Sequence, residues 1–269
     1  MVDLPSSPLI SVVLPVYRNR ATLHDLYEGL VRTLEAQAAP FELVFVDDAC
    51  PENSFKVLEA LAHSDARVSV IAHARNAGQH RAIMTGLCHA RGGRLIVMDA
   101  DLQDPPEAIP GLLAALDQGA AAAFAVRRSG AQHRGRRATS RGFKLLMHWL
   151  TGLPVDAGTY LAMSHEAAAR LAAFEEQHPH IPGMIACLGL PLVTVPYQRA
   201  LRPLGRSGYS GLRRWRLALP TLLRALLYWK RGRPGPARRG SDAPLIRERV
   251  GAAFSEQVLK EHTSESRKD

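Results

Sequence analysis

The fold class can be read from residues 95–107, LIVMDADLQDPPE. Leu95 to Met98 form a short apolar run of the kind that makes a buried strand. The run breaks into Asp99, Asp101, Gln103 and Asp104, and Pro105-Pro106 stops the strand from continuing. Acids at the point where a buried strand runs out stand where open α/β sheets bind their ligands. Side chains two apart in an extended segment point the same way, so Asp99, Asp101 and Gln103 are expected to converge on one cation. Hard oxygen donors suit Mg²⁺ or Mn²⁺ bridging phosphate oxygens. An isolated D-x-D is as well explained by a polar loop closing a strand, so the surrounding chain has to decide.

On either side of this stretch, strands and helices alternate in units of about 30 residues. Residues 9–16 (LISVVLPV) are β-branched and nearly continuous, as a central parallel strand is, and Pro15 is expected to end it. Residues 41–46 and 68–72 read as further strands. Helices are expected over 23–36, with Thr22 as cap and Leu23, Leu26, Leu30 and Leu34 on one stripe, over 55–62 with Ser54 as cap, over 80–90 and over 109–116. The pattern predicts an α/β fold with a mostly parallel central sheet and helices on both faces. Beyond Asp117 it loosens. Residues 120–126 fit a helix end or a strand, 143–150 and 166–174 helices, 154–158 a turn and 192–197 a late strand.

Composition narrows the function. The chain has 269 residues, a formal charge of +9 and 46% apolar residues, which describes a globular protein with anionic partners. Cys50, Cys88 and Cys187 are odd in number and far apart, which argues for a reducing compartment rather than a disulfide framework. No signal peptide is evident, and no apolar run reaches the ~20 residues of a spanning helix. The expected location is therefore the cytoplasm. Nucleic acid is disfavoured as a partner, because carboxylates at the ligand edge repel phosphates unless a metal intervenes.

Strands one, two and four end in Pro15-Val16-Tyr17, Asp47-Asp48 and Asp99-Ala100-Asp101. In a parallel sheet these ends share one edge. Paired acids after strand two can accept hydrogen bonds from a nucleobase and a ribose, although taken alone Asp47-Asp48 also fits a turn. The loop after strand one has no glycine, so neither a G-x-G-x-x-G cradle nor a P-loop is present. Phosphates must be met by a metal and by arginines such as Arg127, Arg128, Arg136 and Arg137, each of which equally fits a solvated basic loop. Asp156, the only acid between Asp117 and Glu166, suits either acceptor-side chemistry or a turn beside Ala157-Gly158.

Six strings together resemble a family 2 glycosyltransferase of the polyprenyl-phosphate type, the group of dolichol-phosphate mannose synthase and undecaprenyl-phosphate formamidoarabinose transferase. They are SVVLPVY (11–17), FVDDACPENS (45–54), RNAGQHRAIMTGLCHARG (75–92), VMDADLQDPPE (97–107), DAGTY (156–160) and RPLGRSGYS (202–210). The resemblance implies a GT-A fold and inverting transfer from a nucleotide-sugar. By matching position it implies that Pro15, Tyr17 and Asp48 hold the nucleoside, and that Asp99, Ala100 and Asp101 meet the donor diphosphate. Mg²⁺ or Mn²⁺ would sit on Asp99, Asp101 and Gln103, while Arg127, Arg136, Ser140, Arg202, Arg206 and Ser207 would line the phosphate groups. Two positions depart from the pattern: Asn19 stands where an acid is usual, and Gly208 replaces a lysine.

On this reading residues 1–230 are a GT-A glycosyltransferase domain, with a nucleotide-binding half at 9–116 and an acceptor half at 117–230. Residues 231–269 are read as a basic, largely disordered tail with a short helix near 244–260. A polyprenyl phosphate is the expected acceptor, and being already ionised it needs no strong base. A hydroxyl acceptor on a glycan would instead need a carboxylate, for which Asp156 is the candidate. Leucines at helical spacing over 217–229, bracketed by Arg213, Arg214, Arg216, Lys230, Arg231 and Arg233, suit a helix within 212–230 lying on an anionic membrane surface or packed on the core. A catalytically silent nucleotide-sugar binder and a nucleotidyltransferase are the competing classes, and homo-oligomerisation is left open.

Overall fold

The computed structural model describes residues 9–127, 148–149, 152–174, 179–197 and 246–251. The chain forms two compact units, residues 1–101 with 240–269 and residues 102–239. In the first unit, β1 (Ile10–Val16), β2 (Phe41–Asp47), β3 (Val68–His73) and β4 (Arg94–Val97) lie in the order β4-β1-β2-β3, all parallel. Every residue of β1, β2 and β3 is buried, which is why these segments read as mostly apolar runs. Pro15 does not end β1. β4 pairs only as far as Val13, so the proline, which has no N–H to donate, lies beyond that ladder.

The connecting helices follow from apolar spacing. α1 (Leu23–Glu35) buries Leu23, Leu26, Leu30 and Leu34 on one stripe, each worth about 2 kcal/mol of transfer free energy. Neither expected cap forms. The Thr22 hydroxyl bonds elsewhere, and Ser54 is the first residue of α2 (Ser54–Ser64), behind a left-handed Asn53. α3 (Gln79–His89) packs against β1 and β2 through Gly86, where a Cβ would run into Val13 Cγ1. That glycine sets how closely helix and sheet approach.

The expected short helix near 244–260 is, over its described residues, an antiparallel strand instead, β8 (Ile246–Val250), paired with β3. Its sequence IRERV has one apolar residue at each end, and ladder pairing from His73↔Ile246 to Val70↔Val250 fixes its state.

In the second unit, β5 (Ala122–Arg127) pairs antiparallel with β6 (Leu161–Ser164) and parallel with β7 (Leu192–Tyr197). The segment that fitted helix or strand is thus a strand. α4 (Ile109–Asp117) packs on all three strands with Ile109, Leu112 and Leu113 inward. Helices also cover His165–Ala172, where Ser164 Oγ caps by accepting from Ala167 N, and Ile181–Cys187. Among the described residues no helix is long and apolar enough to cross a membrane.

Candidate active site

The register of the parallel strands sets Val16, Asp47 and Ala72 side by side towards the carboxyl ends of β1, β2 and β3. Asp47 and Asp48 leave β2 there, both buried, and they behave differently. Asp47 Oδ1 accepts from the Cys50 amide at 3.1 Å. Burial outweighs that bond and the opposing charge of Arg247, so the Asp47 carboxyl stays above its ordinary value. Burial also pushes on Asp48, but hydrogen bonds from His73, Ala77 N and Gly78 N outweigh it and hold this carboxyl below its ordinary value.

The Asp48 bonds are short. Oδ1 meets His73 Nδ1 at 2.9 Å and accepts from Ala77 N at 2.8 Å, and Oδ2 accepts from Gly78 N at 2.8 Å. Asn76 Nδ2 donates to the Asp48 carbonyl at 3.3 Å. The other imidazole nitrogen of His73 lies 3.1 Å from Thr85 Oγ1 on α3. Asp48, which the resemblance sets against a nucleoside, therefore has both oxygens engaged by the protein itself. Gly78 makes its bond with φ +91° and ψ 152°, a conformation open in practice only to glycine. One residue on, the exposed Gln79 donates through Nε2 to Asp99 Oδ1 at 2.5 Å.

Asp99 and Asp101 follow β4 and are partly exposed. The extended alternation expected over 99–103 is not what the backbone does. Strand pairing stops at Val97, the chain bends over Ala100–Leu102, and Leu102 is left-handed with φ +59°. The bend has a tether: the Thr22 hydroxyl lies 2.7 Å from the carbonyl of buried Ala100 and 2.8 Å from that of Asn19. The donors fit a hard divalent cation. They are carboxylates at a partly exposed edge, and among the described residues no group of three or more His, Cys, Asp or Glu is placed to hold an ion.

The loop after β1 is shaped by Asn19, the residue standing in for the usual acid. Its Oδ1 accepts from Tyr17 N at 3.2 Å, and its carbonyl accepts from Thr22 N at 3.0 Å. Cys50 Sγ ties the β1 and β2 loops, accepting from Arg18 N at 3.1 Å and Ser54 Oγ at 3.0 Å. Tyr17 is 40% exposed, with the Arg18 guanidinium 5.4 Å from its ring centroid, whereas Pro15 is buried within β1. Tyr17 thus offers an aromatic ring at this edge, while Pro15 stays inside the strand.

In the second unit Gln103 is partly exposed. Asp104 is buried and accepts from Tyr197 OH at 2.9 Å, and Tyr160 OH donates to the Pro105 carbonyl at 2.8 Å. The two rings meet edge to face at 5.6 Å, and burial together with the Asp104 charge pushes the Tyr160 phenol up. Arg127 is exposed at the end of β5, level with Tyr197. Asp156 is exposed on a turn closed by Ala157 N donating to Pro154 O at 2.9 Å. Arg136, Ser140, Arg202, Arg206, Ser207 and the 212–230 helix lie outside the described residues. Sequence reading missed His73, Cys50 and Thr22. The available signal for His73 was a titratable residue closing a mostly apolar buried strand.

Residues 11–172 match the family described as Glycosyl transferase family 2. The chain is 30% identical over 205 residues to "Uncharacterized glycosyltransferase YkcC" of Bacillus subtilis, covering 74% of this chain and 62% of that protein. It is 32% identical over 213 residues to the undecaprenyl-phosphate 4-deoxy-4-formamido-L-arabinose transferase of Edwardsiella ictaluri, covering 78% and 66%. The chain thus spans less than two thirds of the length of either relative. Its fold is similar to that of a mannosyltransferase from Pyrobaculum calidifontis solved with GDP-Man and Mn²⁺. That likeness has a TM-score of 0.58 at 21% identity, over 86% of this chain and 66% of the other.

Proposed function

The chain belongs to glycosyl transferase family 2, and on that basis we propose that it transfers a sugar from a nucleotide-sugar donor, with inversion at the anomeric carbon, to a polyprenyl phosphate. The observation that carries this reading is a pair of partly exposed carboxylates, Asp99 and Asp101, following a buried parallel strand within the matched region. The formamidoarabinose transferases among the relatives are named for an undecaprenyl-phosphate acceptor, and the Pyrobaculum enzyme was solved with a nucleotide-sugar and Mn²⁺.

Asp99, Asp101 and Gln103 would hold Mg²⁺ or Mn²⁺, which offsets the negative charge on the departing diphosphate. The chain's own groups do the rest. Tyr17 presents a ring to the nucleoside, Pro15 and Asp48 are proposed beside it at the neighbouring strand ends, and Ala100 brings its backbone to the diphosphate. Arg127 offers forked N–H donors to phosphate oxygens, and Arg136, Ser140, Arg202, Arg206 and Ser207 are proposed beside it. A phosphate acceptor arrives ionised and attacks the anomeric carbon without losing a proton. If the acceptor is a hydroxyl, the exposed Asp156 is the carboxylate that takes its proton. Peripheral attachment to an anionic membrane is proposed from the +9 charge and the basic 212–230 segment.

The test is a panel of nucleotide-sugars with Mn²⁺, read by thermal shift and by transfer to undecaprenyl phosphate. One donor should stabilise the protein and give a lipid-linked sugar, and Asp156→Asn should retain that turnover. Transfer only to hydroxyl acceptors, lost in Asp156→Asn, replaces the lipid acceptor. No shift and no transfer with any donor removes the enzyme reading.

A further inference from the structure

His73 closes β3 with its side chain fully buried, between two polar groups on different elements. Nδ1 is 2.9 Å from Asp48 Oδ1 and Nε2 is 3.1 Å from Thr85 Oγ1. Asp48 is held in its ionised form by surrounding donors, so Nδ1 carries the hydrogen and donates, while Nε2 shares a hydrogen bond with the Thr85 hydroxyl. Asp48 then has three donors on two oxygens, and two of them are the consecutive amides of Ala77 and Gly78. Those amides define the turn that starts α3. The first side chain of α3, Gln79, reaches Asp99.

We propose that His73 is a positioning residue for donor binding: through Asp48 it fixes the loop of residues 74–78 and so sets Gln79 on Asp99. The inference deepens the proposed function and rests on it. Packing alone does not call for a histidine here, since an apolar residue in place of His73 would fill the same buried space. Such a residue would leave Asp48 with one donor fewer, and a hydrogen bond to a buried charge is among the stronger single contacts. The loop would then keep its sequence and lose its fixed position.

The test compares the full chain with His73→Asn, His73→Leu and Thr85→Val. Amide exchange is followed over residues 74–79 without ligand, and affinity is measured for UDP and for GDP, each with Mn²⁺. Asparagine carries an amide N–H where Nδ1 stands, so His73→Asn should match wild type in both readouts. In His73→Leu, exchange of the 74–79 amides and the nucleotide dissociation constant should both rise roughly 10-fold to 100-fold, the loss of one charge-assisted bond. Thr85→Val is isosteric and removes only the hydroxyl that orients the ring, so it should shift both readouts the same way by about threefold. It also serves as the decisive variant should His73→Leu fail to fold.

Wild-type exchange and affinity in His73→Leu would overturn the proposal, as would His73→Asn failing as badly as leucine, which would make His73 a packing residue. Unchanged readouts in Thr85→Val, where it stands as the decisive variant, would overturn it equally. If the wild-type chain binds neither nucleotide, the donor reading falls on its own. Exchange at 74–79 still reports whether His73 fixes the loop, and an unchanged rate in His73→Leu would remove that as well.

Discussion

At the end of β2, Asp47 and Asp48 are buried and bonded to the protein's own N–H groups, whereas after β4, Asp99 and Asp101 remain partly exposed. Both pairs leave strands of the same parallel sheet, and sequence alone treats them alike. Their difference comes from the loops at this edge of the sheet. After β3 a loop of four residues and Gly78 curls its amides onto Asp48. After β4 the chain bends away over Ala100, tethered by Thr22. Carboxylates turned inward build the edge, and carboxylates left partly outside can meet a ligand there.

The largest expected effect lies on the exposed side. Asp101→Asn should lower turnover by roughly 100-fold or more, the scale of removing a group that stabilises developing charge, while leaving the melting temperature unchanged. Full activity in this variant would erase the contrast between the two pairs.

The buried pair should respond in stability, and in opposite senses. Asp48→Asn puts an amide among three donors and should cost about 1–3 kcal/mol, which for a chain of this size is several degrees in Tm. The folded value of Asp48 lies below its ordinary 3.8, so its contribution is present above pH 3.8 and is lost as pH falls through the folded value. The gap between wild type and Asp48→Asn should therefore be full at pH 7 and close in acid. Asp47 is shifted the other way, so its ionised form costs stability near neutrality and Asp47→Asn should leave Tm equal or slightly higher. Melting curves from pH 7 to about pH 3 distinguish the two, and equal losses in both variants would contradict the division.

A smaller effect is expected at the hinge between them. Gly78→Ala meets no atom within 4 Å, so its cost is backbone strain alone at φ +91°, about 1–2 kcal/mol. Tm should fall by a few degrees, with the loss confined to protection of residues 74–79 in hydrogen exchange.

How far the sequence carried these conclusions depended on the range of the forces involved. β1, β2 and β3 are buried along their whole length, so their apolar runs name them directly, and the leucine stripe of α1 does the same. β6 has four residues and β8 is IRERV, and neither shows a strand pattern because long-range pairing with β5 and β3 makes them strands. The Thr22 cap failed for a similar reason, since Ala100, 78 residues away, takes the hydroxyl. In the site, the place of Asp99 and Asp101 was legible from the strand that ends before them. The partners of Asp48 were not, because His73, Ala77 and Gly78 lie 25 to 30 residues further on and meet it only in the folded sheet.

The most direct measurement is calorimetric titration of a nucleotide-sugar into wild type and into the Asp99→Asn/Asp101→Asn double variant, each with Mn²⁺ and again with excess chelator. Binding is expected only by the wild type with Mn²⁺, at unchanged Tm across all proteins. Equal affinity in the double variant or in chelator would show that the carboxylates after β4 hold no ion on the donor.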